Sequence, residues 1–437
     1  MTPDERAAAG RAARAQVPLE AHAEVPTPAG RDANAVLAEQ EENRLPELLP
    51  LRHERMSTDP FAFYRAGAAV MAADLAAGSS SGLRTQLCGD AHLANFGMFA
   101  SPERRLVFDL NDFDETHPGP FEWDLKRLIA SLALAGRANG LKRKERAVIT
   151  RDAARGYRQA MASFAAMGHL DLWYAHADVE SLRSQLDKTR SKKVAAAGAK
   201  ARARTSLQAF RKLTQVVDGR RRIVADPPLL MPVRDIIQGN ENLEDEIREL
   251  LAGYRDTLPD DRRRLFDGYT YVDMARKVVG VGSVGTRCWI ILLTGRDDED
   301  PLLLQVKESG PSVLAEHVEA GEWDNHGRRV VSGQRLMQAH SDIFLGWQSY
   351  GGRDFYVRQL RDWKGTMESS TFKPEGLRVY GEICAWTLAR AHARGGDRIA
   401  IAAYLGTDDT MDRALVRFAE DYADRTEGDH AAFKSAS

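Results

Sequence analysis

The chain has 437 residues, of which 43% are hydrophobic and 28% are charged, and its formal net charge is −2. This length gives room for roughly two or three domains, and the near-neutral charge excludes a general attraction to nucleic acid or membranes. The three cysteines, Cys88, Cys288 and Cys384, are too widely spaced for a disulfide framework or a paired-cysteine zinc site. Because no signal peptide or bilayer-length apolar run is present, we expect a soluble, cytoplasmic protein without membrane contact.

The sequence pattern of the first half of the chain predicts a leader followed by helices. Residues 1–45 combine alanine, proline and mixed charge with weak periodicity, which predicts a mobile or surface-wrapped leader. Apolar residues recur at helical spacing from Pro60 until a glycine- and serine-rich stretch at residues 78–82. A second apolar helical pattern follows Asp124. We therefore predict a helical catalytic lobe over residues 46–268.

A basic segment from Arg183 to Arg222 lies inside this lobe, in an alanine-rich, helix-favouring context. Charge runs usually face solvent, so one interpretation is a solvated face, and the other is a surface that attracts an anionic partner. No aromatic residues interleave its centre, which argues against a nucleic-acid partner. Residues 211–232 and Trp363 are candidate walls for a small-molecule acceptor.

The composition changes near Tyr269, where strand, glycine turn, strand, acidic turn and strand follow one another. A further hairpin has its turn at Gly351 and Gly352. We predict a small antiparallel nucleotide-binding lobe over residues 269–365, and C-terminal helices over residues 366–437 that complete the helical lobe. The predicted fold class is α+β.

A glycine pattern lies between the first two strands of the β-rich region. Gly280, Gly282 and Gly285 have the spacing G-x-G-x-x-G, and Ser283 lies within it. A dinucleotide-binding fingerprint requires a helix after the glycines, whereas a strand follows here. A glycine loop between antiparallel strands is instead typical of protein kinases, where it folds over nucleotide phosphates, or it is an ordinary hairpin.

Lys307 lies in the apolar strand that follows the glycine hairpin. Kinases place a lysine there to neutralise nucleotide phosphates, although a lysine on an edge strand could also face solvent. A charged amine in a β-core requires a partner because its desolvation is costly. The candidate partners are Glu316, Glu319 and Glu322.

The most informative stretch runs from residue 87 to residue 124, and its polar residues are expected on loops at strand ends. Asp90 and Asn95 have the spacing D-x-x-x-x-N of a kinase catalytic loop, in which the carboxylate orients an acceptor hydroxyl and the amide binds metal. His92 is a candidate base or metal ligand, or a loop-ordering residue. Cys88 is expected to be a small buried residue.

A second acidic cluster, FDLNDFDE, follows the next strand. Because alternate strand residues point to opposite sides, Asp112 and Asp114 share one side and Asp109 takes the other. We predict that Asn95, Asp112 and Asp114 bind magnesium. Asp124 opens a helix and is predicted to cap it while bracing the catalytic loop.

These motifs resemble the protein-kinase-like superfamily, specifically its aminoglycoside and choline phosphotransferase branch, in which H-G-D-x-x-x-x-N precedes a D-F/W-x magnesium motif. The residues in the matching places are Gly89, Asp90, Asn95, Asp112 and Asp124. Cys88 stands where that motif has histidine. The sequence from about Arg52 onward is also similar to an uncharacterised bacterial family, domain of unknown function 2252, which supplies no reaction.

In kinases the glycine loop and the lysine precede the catalytic loop, whereas here they follow it. The resemblance therefore implies a two-lobed kinase-like fold in circularly permuted order, which exposed links between elements tolerate. The helix VYGEICAWTLARAHARG would then lead into the catalytic loop in space. Lys307 would lie within nucleotide-bridging distance of Asp112.

The resemblance implies an ATP- and magnesium-dependent phosphotransferase that acts on a hydroxyl of a small-molecule acceptor. Lys307 and the glycine loop would hold ATP, Asn95 and Asp112 would hold magnesium, and Asp90 would position the acceptor. One alternative is a nucleotide-binding pseudokinase or a regulatory protein that transfers AMP. Another is a metallophosphoesterase, because Asp90-x-His92 after a strand also resembles the first metal-binding motif of that superfamily.

Overall fold

The computed structural model describes residues 1–180, 188–237, 243–318, 323–360, 363–367 and 369–436. The helices are α1 Pro3–Gln16, α2 Ala33–Glu41, α3 Leu49–Met56, α4 Pro60–Ala66, α5 Ala68–Ala76, α6 Phe121–Ala138, α7 Arg143–Ala166, α8 His169–Tyr174, α9 Lys188–Arg202, α10 Ser206–Leu213, α11 Val233–Ile236, α12 Leu243–Asp256, α13 Asp260–Phe266, α14 His326–Met337, α15 Pro374–Gly395, α16 Arg398–Leu405 and α17 Thr410–Ala436. The strands are β1 Arg84–Leu87, β2 Phe96–Ala100, β3 Leu106–Leu110, β4 His117–Pro120, β5 Ala177–Asp178, β6 Thr214–Val217, β7 Arg220–Ile223, β8 Leu230–Pro232, β9 Thr270–Lys277, β10 Cys288–Thr294, β11 Pro301–Ser309, β12 Gly346–Tyr350, β13 Arg353–Gln359 and β14 Gly365–Thr366.

The helices α6, α7, α15 and α17 form the main helical core. Helix α6 is buried along nearly its whole length, including the charged residues Glu122, Asp124, Lys126 and Arg127 in its first half. Helix α15 packs along α7 and ends against β1, where a Cβ on Gly396 would lie 2.7 Å from the Cβ of Thr85. Among the described residues, no helix is both long and apolar enough to cross a membrane.

Residues 1–45, for which the sequence predicts a mobile or surface-wrapped leader, contain α1 and α2. Helix α1 begins at a capping box formed by Thr2 and Glu5 and packs on α16. A 3-10 helix, Leu19–Ala23, lies against α17, and Nε2 of its buried His22 lies 2.6 Å from the Tyr404 hydroxyl oxygen. This part of the chain therefore lies on the C-terminal helices.

The β-rich region contains a six-stranded antiparallel sheet with strand order β12-β13-β11-β10-β9-β8. Leucine, isoleucine and valine side chains of its central strands form two apolar clusters, one of which includes residues of α12. Helix α14 packs against β12, β13 and α15, and so connects the sheet to the helical core. The α+β class with antiparallel sheets, predicted from the sequence, is confirmed.

Two loops that connect two separate strand pairs carry the acidic motifs. Strands β1 and β4 pair with each other, and β2 and β3 lie in a separate four-stranded sheet of order β14-β2-β3-β5. The loop from β1 to β2 contains Asp90, and the loop from β3 to β4 contains Asp112 and Asp114. The expected position on loops at strand ends is thus found for Asp90, Asp112 and Asp114, whereas Asp109 lies inside β3.

The basic segment contains α9, α10 and the hairpin of β6 and β7, while residues 181–187 lie outside the described residues. Lys192 and Lys200 on α9 are exposed, and Arg202 pairs with Glu180 at 2.8 Å. The described part of α9 thus presents a solvated basic face, one of the two interpretations of this segment.

Candidate functional site

The loop between β1 and β2 is ordered by its own polar side chains. Asn95 Nδ2 donates to the Asp90 carbonyl oxygen at 2.7 Å, and His92 Nδ1 accepts from the Ala94 amide at 3.2 Å. Burial lowers the pKa of His92 to about 3, although the Asp90 carboxylate acts in the opposite direction. His92 is therefore neutral near pH 7, and its hydrogen bond with the Ala94 amide agrees with the loop-ordering interpretation.

Asp90 is held by Arg127 from α6. Asp90 Oδ1 accepts from Arg127 Nε at 2.7 Å and lies 2.6 Å from Nη2, while Oδ2 faces His92 Nε2 at 3.5 Å. Burial acts to raise the pKa of Asp90, but Arg127, with smaller contributions from His92 and Arg65, brings it below its usual value. The carboxylate is therefore ionised near neutral pH, with one oxygen engaged by the guanidinium group.

Asp124 braces the start of this loop. Its Oδ2 accepts from the Cys88 amide at 2.8 Å, and its Oδ1 accepts from the Gly89 amide at 3.0 Å. The predicted bracing is confirmed. The predicted helix cap is wrong, because the N-cap of α6 is Pro120 and no side chain caps the helix. The carboxylate instead satisfies two backbone amides that follow the end of β1.

His392 is a residue of this region that motif reasoning missed. Its Nε2 lies 3.2 Å from Asp124 Oδ2, and its Nδ1 lies 2.7 Å from the Tyr157 hydroxyl oxygen. An imidazole from the end of α15 thus lies beside the brace, whereas Cys88, which stands at the histidine position of the resembled motif, is a buried thiol whose pKa is raised by burial. The available signal was the AHARG ending of the helix expected to lead into this loop.

Lys307 meets the acidic loop between β3 and β4. Its Nζ lies 2.6 Å from Asp114 Oδ2 and 3.7 Å from Asp112 Oδ2, although Lys307 and Asp114 are 193 residues apart in sequence. The Tyr356 hydroxyl donates to Asp114 Oδ1 at 2.7 Å. The expected proximity of Lys307 to Asp112 is thus found.

The pKa values of Asp112 and Asp114 are shifted in opposite directions. Burial raises the pKa of Asp112, and the neighbouring Asp114 raises it further. Burial also acts to raise the pKa of Asp114, but Lys307, Tyr356 and Arg358 together outweigh burial and lower this pKa to about 2. Asp114 is the direct ion-pair partner of the lysine, and Asp112 carries charge that Lys307 compensates only at longer range.

The expected glutamate partner of Lys307 is not found among the described residues. Lys307 is buried and paired with aspartates, so the alternative of a solvent-facing lysine is wrong. Glu316 forms no ion pair with Lys307, and Glu319 and Glu322 lie outside the described residues. Helix α14 begins only at His326, beyond all three candidates.

Asp109 lies on the other side of β3, as the alternation of strand residues predicts. It is buried and accepts from Arg390 Nη2 at 2.6 Å and from the Ala339 amide at 2.9 Å. It joins β3 to α15 and to the end of α14, and it does not face the glycine loop.

The glycine loop connects β9 and β10 and is held from outside by residues 44–55. Arg55 Nη1 donates to the Gly280 carbonyl at 2.5 Å, and Arg52 Nη1 donates to the Gly282 carbonyl at 2.9 Å. The amide of Leu45 donates to the Gly285 carbonyl at 2.8 Å. With these carbonyls engaged on one side, the loop presents its other side to the acidic loop, where Ser283 Oγ lies 3.5 Å from Asp114 Oδ2.

Gly285 illustrates why this loop needs glycine. Its φ is +92°, in the region that residues with a Cβ rarely adopt, and an added Cβ would lie 2.9 Å from the Cβ of Arg44. A side chain at this position would both strain the backbone and displace Arg44 from the loop.

A cavity of about 160 Å³ lies where the three loops meet. The predicted site residues that line it are Asp90, His92, Asn95, Asp112, Asp114, Gly280, Gly282 and Ser283. Lys307 lies behind Asp114, and Gly285 lies at the outer end of the glycine loop against Arg44. In the described part of the chain, no group of three or more histidine, cysteine or acidic residues is arranged to hold a metal ion.

Arg44 and Arg65 also line this cavity and were missed by motif reasoning. They precede the recognised motifs in sequence, and nothing in their local pattern signals a site. Arg127, the partner of Asp90, was also missed, although its position in EWDLKRL, three residues after Asp124, places it close to the same loop.

The candidate acceptor walls lie elsewhere. Trp363 does not line the cavity and lies 4.3 Å, ring centroid to guanidinium carbon, from Arg104. Arg211 pairs with Glu299 at 3.0 Å on the surface.

The family model for DUF2252, described as "Uncharacterized protein conserved in bacteria", matches residues 44–436. The match includes all the predicted site residues together with Arg44, Arg65, Arg127 and His392. No curated protein and no solved structure matches the chain.

Proposed function

Because this chain belongs to the bacterial family DUF2252, whose description names no reaction, we propose its function from the site itself. We propose an ATP- and magnesium-dependent phosphotransferase that acts on a hydroxyl group of a small molecule. The three cysteines are free and buried, which is consistent with a reducing cytoplasm.

One observation carries the proposal. The ion pair of Lys307 with Asp114, and its proximity to Asp112, join the strand after a glycine loop to an acidic loop from a distant part of the chain. Phosphoryl transfer in protein kinases uses such a lysine, a glycine loop over the phosphates and a metal-binding aspartate together. A purely structural lysine would need one carboxylate partner. Lys307 instead meets two aspartates of a loop that also lies beside Ser283 of the glycine loop.

The order of elements around the site supports a circularly permuted kinase-like arrangement. The glycine loop, the lysine strand β11, helix α14 and the hairpin of β12 and β13 come first, and then helix α15 ends against β1. Strand β1 leads directly into the Asp90 loop. The resemblance implies the same succession of elements. Strand β1 takes its place after α15 because the end of α15 lies beside it, although β1 precedes these elements in sequence.

The residues present fit a magnesium ion bound together with phosphates. Magnesium in such sites takes one or two carboxylates, and the nucleotide phosphates and water complete its shell. Asp112 has its pKa raised by burial and by Asp114, so a divalent cation would relieve this repulsion. Asn95 donates through Nδ2, which leaves its Oδ1 as the ligand atom. The ion would supply neutralisation of charge on the transferred group.

Asp90 would orient the acceptor hydroxyl through Oδ2. Arg127 keeps the carboxylate ionised with a lowered pKa, so Asp90 is a weak base. This suits phosphoryl transfer, in which positioning and charge stabilisation contribute more than early proton removal. Lys307 would balance the negative charge on the nucleotide.

The test is thermal unfolding of the purified protein with ATP, ADP, AMP or GTP, each with and without magnesium. A ligand that binds the native state raises its melting temperature, so ATP with magnesium should give a rise that ATP alone does not. No rise with any nucleotide would contradict the proposal.

Product analysis separates the proposal from its alternatives. A phosphotransferase releases ADP in the presence of its acceptor, an AMP-transferring protein releases pyrophosphate, and a pseudokinase binds ATP without steady consumption. Phosphatase activity without ATP would favour the metallophosphoesterase, which leaves Lys307 and the glycine loop without a role.

A further inference from the structure

The cavity carries two positive charges that the proposed phosphotransferase site does not yet use. We propose that Arg44 and Arg65 form a binding site for a phosphoryl group within this cavity. The inference rests on the proposed function for the identity of the group and adds two specific binding residues from the N-terminal part of the chain.

The first argument is the lack of anionic partners for these two side chains. Neither Arg44 nor Arg65 forms an ion pair with a carboxylate in the described part of the chain, and Nε of each is buried without a hydrogen-bond partner. The one side-chain hydrogen bond of Arg44 among described residues goes to the Val284 carbonyl. Burial lowers the pKa of both groups, that of Arg44 to about 9. A desolvated cation without a directly paired carboxylate is costly, so an anion at this position would be favoured.

Several buried arginines differ in this respect because they pair with a carboxylate, whereas the buried Arg329 donates to backbone carbonyls. Those paired with a carboxylate are Arg52 with Glu41, Arg127 with Asp90, Arg158 with Asp412 and Arg390 with Asp109. These pairs balance the guanidinium charges within the fold. Arg44 and Arg65 are therefore available to an external ligand.

The second argument is position. Arg44 packs against Gly285 at the outer end of the glycine loop, and its charge interacts with Asp114. The backbone oxygen of Arg65 lies 3.2 Å from the position of a Cβ on Gly282, and the side-chain charge of Arg65 interacts with Asp90. The two arginines thus lie between the glycine loop and the catalytic loop, where a group passing from nucleotide to acceptor would be.

The third argument is the chemistry of the cavity. Asp90, Asp112 and Asp114 line it and would repel an anion, so an anionic ligand requires compensating positive charge. Guanidinium groups present paired donors that match phosphate oxygens, and two of them can hold one phosphoryl group. A cavity of about 160 Å³ accommodates a group of that size. The phosphoryl group can come from the nucleotide or from a phosphorylated acceptor.

The test measures binding by calorimetry in wild-type protein and in the variants Arg44→Gln and Arg65→Gln. The probes are ATP with magnesium, AMP, and inorganic phosphate alone or added after ATP. The matched control is Arg11→Gln, the same charge change on an exposed arginine of α1. We expect each cavity variant to weaken phosphate-dependent binding by about tenfold or more, because each loses charge-assisted hydrogen bonds, and the control to match wild type.

The probes identify the source of the phosphoryl group. If ATP affinity falls while AMP affinity does not, the arginines hold a terminal phosphate of the nucleotide. If ATP affinity is unchanged but inorganic phosphate added after ATP binds more weakly, they hold a phosphate of the acceptor. Either result supports the inference. Wild-type affinity of both glutamine variants for every probe would overturn it, as would a wild-type protein that binds none of the probes.

The inference and the proposed function fail in different ways. If both glutamine variants bind ATP and inorganic phosphate added after ATP as tightly as wild type does, the phosphotransferase stays intact and this site is removed. If inorganic phosphate binds in an arginine-dependent way and no nucleotide binds, the arginine site is supported and the phosphotransferase is contradicted. If a glutamine variant does not fold, phenylglyoxal modification of the wild-type protein replaces it. Phosphate should then protect Arg44 and Arg65 from modification, and equal modification with and without phosphate would contradict the site.

Discussion

At the scale of single residues, the site depends on which carboxylates are paired within the fold. Asp90 pairs closely with Arg127 and Asp114 with Lys307, while Asp112 lies 3.7 Å from the same lysine. A carboxylate in a close ion pair contributes to the stability of the fold as well as to chemistry. A carboxylate farther from its cation, such as Asp112, is more available to a ligand. Substitutions at these positions should separate the two effects.

Replacing Asp90 by Asn should abolish turnover and leave ATP binding in place. The amide cannot supply the charge that orients the acceptor hydroxyl, so we expect a loss of roughly 100-fold or more in turnover. Asp109→Asn is the matched control, since it breaks the pair with Arg390 away from the cavity. ATP consumption and ATP affinity of both variants give the comparison, and equal turnover of the Asp90 and Asp109 variants would exclude Asp90 as the positioning group.

Asp112 and Asp114 should respond differently to the change to Asn. Asp114→Asn leaves the buried Lys307 without its partner at 2.6 Å and should cost roughly 3–5 kcal/mol of unfolding free energy. Asp112→Asn removes a repelled charge, so it should cost little stability and instead remove the magnesium dependence of ATP binding. Urea unfolding and magnesium titration measure the two effects. A larger loss of stability for Asp112→Asn would contradict this assignment.

At the scale of elements, the 3-10 helix Leu19–Ala23 contains His22, and protonation of this buried histidine should lower the free energy of unfolding in acid. Burial lowers the pKa of His22 to about 3 from its ordinary value of 6.5. Between these values the unfolded chain binds the proton and the folded chain does not, so unfolding free energy falls as pH falls below about 6.5. This stability is fully present above pH 6.5 and is lost progressively toward pH 3.

His22→Gln should keep a hydrogen bond to Tyr404 and remove this titration. The variant should lose roughly 2 kcal/mol less unfolding free energy between pH 7 and pH 5 than wild type. His92, whose pKa is also lowered by burial, contributes equally to both proteins and cancels in the comparison. Urea unfolding at the two pH values gives the measurement, and identical pH dependence of variant and wild type would contradict the role of His22.

At the scale of the whole molecule, four separate parts of the chain converge on one cavity. The Asp90 loop, the Asp112 loop, the glycine loop and residues 44–65 all contribute to its walls. The N-terminal part of the chain also holds the glycine loop, because Arg52 and Arg55 donate to its carbonyls. The site is therefore assembled by tertiary packing of distant segments.

This assembly explains what the sequence could and could not predict. The spacing from Asp90 to Asn95, the strand after the glycines and the alternation that separates Asp109 from Asp112 are local, and local patterns report them well. Arg44, Arg65 and His392 reach the site only through packing, which no local spacing records. The partner of Lys307 was misassigned for the same reason, since Asp114 comes from a loop 193 residues away.

Labelling by an acyl-phosphate derivative of ATP tests the central claim most directly, because such a reagent acylates a lysine amine that lies beside the bound phosphates. We predict magnesium-dependent modification of Lys307, identified by mass spectrometry, that excess ATP prevents and that Asp112→Asn reduces. Labelling confined to exposed lysines such as Lys192, unaffected by ATP or magnesium, would contradict a nucleotide site at this cavity.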